Sequence, residues 1–319
     1  MAVLVRNEAE TEIEFCDSPG DAGGVSRSGP AVAYLLSEGS DSGRSLGAGV
    51  LWADKLGADR LVLISDHDNA GELARRAGYF DRHSISVVEV VGTGWKAAVA
   101  APITPVPELP AEVWALAGLI NETGARAVDD HGRLVAEVAG LEVARVTMFD
   151  DGPQIEVGVG QADRELHQLV HSNLEPDAAL RRAVGMVASH RHTGAIFHPL
   201  KNMARERWLR SRLLDQPGLV GAEHLDPVPP LHPRSTVLGQ RPIAAVGTTA
   251  QGTPIVVVCS IGVDPEFVPD AADYRARFDA AADLVLVVPT RDRYPITERL
   301  VAELERASLV TVPPPWDSA

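Results

Sequence analysis

Cysteine is scarce: Cys16 and Cys259 are the only two in 319 residues. Two thiols cannot build a disulfide framework or a four-cysteine zinc site. Aromatics make up 5% of the chain, and lysine is reduced to Lys55, Lys96 and Lys201 beside 26 arginines. With abundant Ala, Val, Gly and Pro, that imbalance points to a GC-rich bacterial genome more than to a function. No apolar run approaches the ~20 residues needed to span a bilayer. The opening MAVLVRNEAE turns acidic without the n-region and h-region of a signal peptide. A cytoplasmic protein with no membrane association is therefore expected. Negative charge, by contrast, is plentiful, with a formal net charge of −15. The 45% hydrophobic fraction excludes wholesale disorder. The length accommodates one large domain or several of roughly 100–200 residues.

Four prolines between Ala101 and Pro110 oppose both helix and central strand. They predict a linker at 102–110 between an N-terminal α/β domain, 1–101, and the rest. A second Pro-rich stretch, Asp226 to Pro233, separates a helical region from the C-terminal portion. The remaining boundaries expected are 111–195 for a β-meander with helices and 196–319 for a C-terminal α/β domain. Before the linker, Thr11–Asp17, Ala31–Glu38, Arg60–Ser65 and Ile85–Val91 read as strands, with helices at Leu46–Leu56 and Ala70–Phe80. Near the C-terminus, Ile243–Thr248 and Pro254–Cys259 form a hairpin. They are followed by a helix at 270–278, a strand at Leu284–Val288, a helix at Ile296–Arg306 and a strand at Leu309–Val312. Both ends thus read strand, strand, helix, strand, helix, strand. Alternation of this kind implies an α/β class, or α+β, with two mixed-sheet units flanking a central meander and basic helices.

A hairpin followed by helix, strand, helix and strand, with Val256-Val257-Val258-Cys259-Ser260 leading into a helix, resembles the core of the restriction-endonuclease-like PD-(D/E)XK superfamily. The resemblance covers the C-terminal third and, more loosely, residues 11–91. It implies carboxylates holding Mg²⁺ and a lysine that helps activate water. In the C-terminal copy the acid-x-Lys positions fall at Cys259-Ser260-Ile261, with neither acid nor lysine, and Ile243–Gly247 carries no carboxylate. That copy is expected to be degenerate. In the N-terminal copy Glu14 and Asp17 lie on the first strand and Glu38 ends the second. Ser40 takes the lysine position, and Lys55 on the next helix is the substitute.

The strongest charge asymmetry lies from Arg181 to Arg212, where eight basic residues meet a single acid, Glu206. At ~100° per residue, Lys201, Arg205, Trp208 and Arg212 fall on one helical stripe. A cationic stripe with an aromatic in it suits phosphate neutralisation and base stacking. The other reading pairs these arginines with the protein's own carboxylates and half-buries Trp208. His167 and His171 have the spacing of a zinc pair without a third ligand. His190, His192 and His198 lie nearby in sequence. Asp66-His67-Asp68 follows an apolar strand and reads as a cap through Asp68 or Asn69. Gly158-Val159-Gly160 lacks the third glycine of a dinucleotide loop, and Ser37–Ser45 lacks a Walker lysine.

These features favour a non-catalytic nucleic-acid or phosphate-binding protein with a degenerate nuclease-like fold. No catalytic residue, metal or cofactor is assigned. The alternatives are a structural or protein-partner module, its basic helices meeting its own carboxylates or an acidic protein, and a metal-dependent nuclease using the N-terminal copy.

Overall fold

The computed structural model of the chain describes residues 13–37, 44–66, 68–80, 84–92, 94–160, 176–196, 198–233 and 239–317. The fold is α/β, with sheets of six, four and five strands. Among the described residues, no helix is long and apolar enough to cross a membrane.

The first sheet comprises β1 (Ile13–Cys16), β2 (Ala22–Ser26), β3 (Val32–Ser37), β4 (Arg60–Ser65), β5 (Ser84–Val91) and β6 (Gly94–Ala97), in that spatial order. Helices α1 (Leu46–Leu56) and α2 (Ala70–Ala77) join the parallel strands β3, β4 and β5. Right-handed crossovers between successive neighbours put both helices on one face. Period-two alternation then divides the apolar residues. Leu35 and Leu63 lie beneath α1, where Gly49 approaches them closely. Tyr34, Val62, Ile64 and Val88 cluster on the other face. Strand β2 is two-fifths glycine because side chains do not fit there. A Cβ on Gly23 would stand 2.4 Å from the Ser18 Cβ and 2.8 Å from the Trp52 ring.

The second sheet is an antiparallel meander of β7 (Arg126–Asp129), β8 (Leu134–Val138), β9 (Leu141–Phe149) and β10 (Gly152–Val157). Its core takes Val113 from α3 (Ala111–Trp114), Ala117 and Ile120 from α4 (Ala117–Glu122), and Leu180, Val184 and Val187 from α5 (Pro176–Ala188). Helices α3 and α4 are separated by a turn at 115–116, where the Leu116 N–H bonds back three residues to Val113.

Helix α6 (Arg205–Asp215) covers one face of the third sheet, which runs β11 (Ala222–Pro227), β12 (Ile243–Thr249), β13 (Pro254–Cys259), β14 (Asp283–Pro289) and β15 (Ala307–Val312). Helices α7 (Phe267–Phe278) and α8 (Pro295–Val301) join β13 to β14 and β14 to β15. The strand pattern repeats that of the first sheet: two antiparallel pairings and then a parallel one, with space following sequence.

Two compact units divide the chain, and they run differently from the expected boundaries. One comprises Met1–Ile103, Val263–Ala280 and Arg293–Leu309, and the other Thr104–Gly262, Ala281–Asp292 and Val310–Ala319. The first division falls inside the Pro-rich segment. The stretch 196–319, expected as one C-terminal domain, is shared between the two, and α7 and α8 belong with residues 1–103. Their polar sides explain why. In the first unit Arg76 of α2 is buried and bonds Asp270 at 2.6 Å and Asp273 at 2.7 Å, both on α7. Arg75 grips Asp273 through two nitrogens at 3.0 Å each.

Candidate functional site

The basic segment was expected to present Lys201, Arg205, Trp208 and Arg212 on one helix face. The backbone corrects that geometry. Lys201 lies on a separate 3₁₀ turn, Pro199–Asn202, and Ala204 takes φ +43° before α6 begins. A left-handed residue between the two segments breaks the 100° phase on which the stripe depended.

Each of the four side chains has an internal role. Lys201 is 6% exposed and its Nζ donates to the Ala195 carbonyl at 2.8 Å. Trp208 is 4% exposed, lies 5.9 Å from the Trp316 ring and carries the Arg191 guanidinium 4.3 Å above its face. A ring held this way offers no surface for a base. Arg205 is half-buried; it donates to the Lys201 carbonyl and to Asn202 Oδ1, and it lies 5.2 Å from the Trp316 ring centroid. Burial first, and then the positive charge of Arg291, lower its pKa. Arg212, also half-buried, donates to the Pro313 carbonyl at 2.9 Å.

The carboxylate partners belong to other arginines of the same helix. Glu137 on β8 accepts Arg207 Nη1 on one oxygen and Arg210 Nη2 on the other, each at 2.8 Å. Arg207 also reaches Asp130 at 2.6 Å. Against the pull of burial, Glu137 and Asp130 hold the Arg207 guanidinium above its ordinary pKa. Arg191 differs, because its contacts are backbone carbonyls: Ala139, Leu200, Met203 and Ala204. Dipoles repay a buried charge less well than a carboxylate does, and burial brings its pKa down to about 10. The β8–β9 turn, Ala139-Gly140, has positive φ at both residues and rests against the main chain of Arg207 and Trp208. Helix α6 is thus fastened to the meander by two carboxylates, a clamp of carbonyls and a turn.

The remaining candidates do not converge with it. His190 and His198 stack face to face, 3.9 Å apart with planes 7° from parallel, so their nitrogens do not aim at one point. His167, His171, Glu38 and His67 lie outside the described residues. Asn69 stands at the start of α2 without a side-chain cap bond, its Oδ1 accepting from Ser65 instead. Glu14, Asp17 and Lys55 are exposed. Gly158 donates to the Val143 carbonyl and so prolongs the meander. Cys259 is fully buried, and burial pushes its thiol up to about 12. Among the described residues, no group of three or more His, Cys, Asp or Glu is placed to hold a metal ion.

Sequence reasoning missed two features. One is the buried ion cluster of the first unit, whose acids come from α7, far along the chain. The other is an exposed apolar face on α3 and α4. Only the second had a local signal, a tryptophan at 114 in a stretch without cations. No family model, curated protein or solved structure matches this chain.

Proposed function

We propose that this protein is a non-catalytic protein-partner module in which the arginine-rich helix is an internal fastening and not a ligand surface. The observation that carries this reading is the fate of the cations on α6: Arg207 and Arg210 share Glu137, and Trp208 is buried beneath Arg191. The acid-x-Lys positions also support it, since Cys259-Ser260-Ile261 supplies no carboxylate for a hard cation.

Phosphate or nucleic-acid binding is the second reading, narrowed to Arg205 and Arg212. It is favoured by the like-charge influence of Arg291 on Arg205, which a bound anion would relieve. The degenerate nuclease-like ancestry belongs to this second reading and rests on the order of elements alone.

Fluorescence anisotropy at low salt with single- and double-stranded oligonucleotides separates the two. The module reading expects no binding, and expects Trp208→Ala to cost about 3–5 kcal/mol of stability through cavity formation. Oligonucleotide affinity that weakens in the Arg205→Gln, Arg212→Gln double variant, with a flatter salt slope, overturns it.

A further inference from the structure

We propose that the exposed face of α3 and α4 is a docking surface for a cationic amphipathic helix of a partner protein. The inference rests on the partner-module reading and gives that partner its chemistry. Helices α3 and α4 bury Val113, Ala117 and Ile120 against the meander. The opposite side turns outward, leaving Trp114 49% and Leu119 37% exposed. Trp114 has no ring contact or side-chain hydrogen bond among the described residues, unlike Trp52, whose indole N–H donates to the Asp17 carbonyl, and the tilted ring pair Trp208 and Trp316. Between the two apolar residues in sequence lies Gly118, where an added Cβ would meet nothing within 4 Å. Exposed apolar side chains beside a glycine with open space above it leave room for a ridge of a second helix to approach.

The rim settles the sign of the partner. From Ala97 to Ala125 the chain contains no lysine or arginine, and its three acids, Glu108, Glu112 and Glu122, are all exposed. Two flanking cations are already engaged. Arg126 bonds Asp215 at 2.7 Å, while Arg181 bonds Asp177 at 3.0 Å and the Glu122 carbonyl at 2.9 Å. An exposed tryptophan supplies the anchor that helix-in-groove interfaces use, and uncompensated carboxylates at the rim steer a positive partner and reject an acidic one. An acidic protein, the partner expected for the basic helices, does not suit this surface.

The test uses the full chain and a fluorescein-labelled, tryptophan-free peptide patterned Leu/Lys as an amphipathic helix. A Leu/Glu peptide of the same pattern and a scrambled Leu/Lys peptide are the controls. Expected are saturable anisotropy with the patterned Leu/Lys peptide, a blue shift of tryptophan emission and weakening with salt. Trp114→Ala should raise Kd at least tenfold, as should Leu119→Ser combined with Glu112→Gln and Glu122→Gln. Neutralising acids elsewhere, with Asp66→Asn and Glu223→Gln, should leave Kd within twofold. Circular dichroism checks that each variant is folded. The proposal is overturned if no peptide binds at millimolar concentration, if the Leu/Glu or scrambled peptide binds as well, or if the α3–α4 variants bind like the parent. Oligonucleotide binding lost in the Arg205→Gln, Arg212→Gln variant would remove the module reading while leaving this peptide result to stand or fall separately.

Discussion

Glu266 Oε1 accepts the main-chain N–H of Gly47 at 2.6 Å, joining residues 219 positions apart. The bond lies in the first turn of α1, where helix N–H groups lack intrahelical partners and a distant side chain serves as the cap. The Glu266 Oε2 is buried without a hydrogen bond among the described residues. Burial, and then the negative charge of Asp270, push this carboxyl up to about 7, against the opposing influence of Arg76 and the Gly47 N–H.

The folded chain therefore keeps a proton that the unfolded chain, with an ordinary value of 4.5, releases earlier. Stability from this source is complete below the unfolded value, falls as pH rises between the two, and is gone above about 7. Glu266→Gln keeps an acceptor for Gly47 and removes the charge. It should match the parent near pH 4.5 and exceed it at pH 8 by on the order of 3 kcal/mol. Urea unfolding at both pH values measures the difference. An equal effect of the substitution at both would rule out Glu266 as the titrating group.

The arginines of α6 should separate sharply by partner. Arg207→Ala leaves Glu137 to Arg210 alone and takes the guanidinium from Asp130, and should cost about 3–5 kcal/mol. Arg207→Lys keeps the charge but not the fork that reaches both acids, and should fall between. Arg212→Ala gives up one bond to the Pro313 carbonyl at a half-exposed site and should cost no more than ~1 kcal/mol. Denaturation midpoints rank the three, and similar losses for Arg207→Ala and Arg212→Ala would contradict the assignment.

Gly140 is irreplaceable on two counts. Its φ is +75°, and a Cβ there would stand 2.3 Å from the Arg207 carbonyl carbon. Gly140→Ala should cost at least ~2 kcal/mol, more than left-handed strain alone, because the contact is with helix backbone that cannot rotate away. Gly252→Ala is the comparison: φ is +78°, but nothing lies within 4 Å. Equal losses in thermal or urea unfolding would show that contact with α6 contributes nothing.

The sequence made some of this legible. Apolar runs such as Leu284–Val288 and the hairpin of Ile243–Thr248 with Pro254–Cys259 located the third sheet's central strands, because period and turn chemistry are local. Strand β2 was invisible, since Gly23 and Gly24 leave no alternation to read. Strand β11 was hidden by a bulge between Ala222 and His224, which interrupts period two. The stripe through Lys201 failed for a comparable reason: one residue, Ala204, changes backbone region, and no residue preference announces it. The Glu137 pairings depend on contacts 70 and 73 positions apart, which no window on the sequence contains. The apolar face at Trp114 and Leu119 was readable in principle, as a tryptophan on the polar side of an otherwise ordinary amphipathic pattern.

The interleaving of the two compact units bears on how the chain acquires its structure during synthesis. Passing from the N-terminus to the C-terminus, it changes unit five times, at 103/104, 262/263, 280/281, 292/293 and 309/310. Neither unit is complete until the chain has been synthesised to Leu309 or beyond. The early stretch holding Arg75 and Arg76 must wait for Asp270 and Asp273 to arrive almost two hundred residues later. No single cut yields two intact halves, so nascent chains stalled before α7 should be open to proteases at Leu73, Arg76 and Ala77 of α2, which are buried in the finished protein.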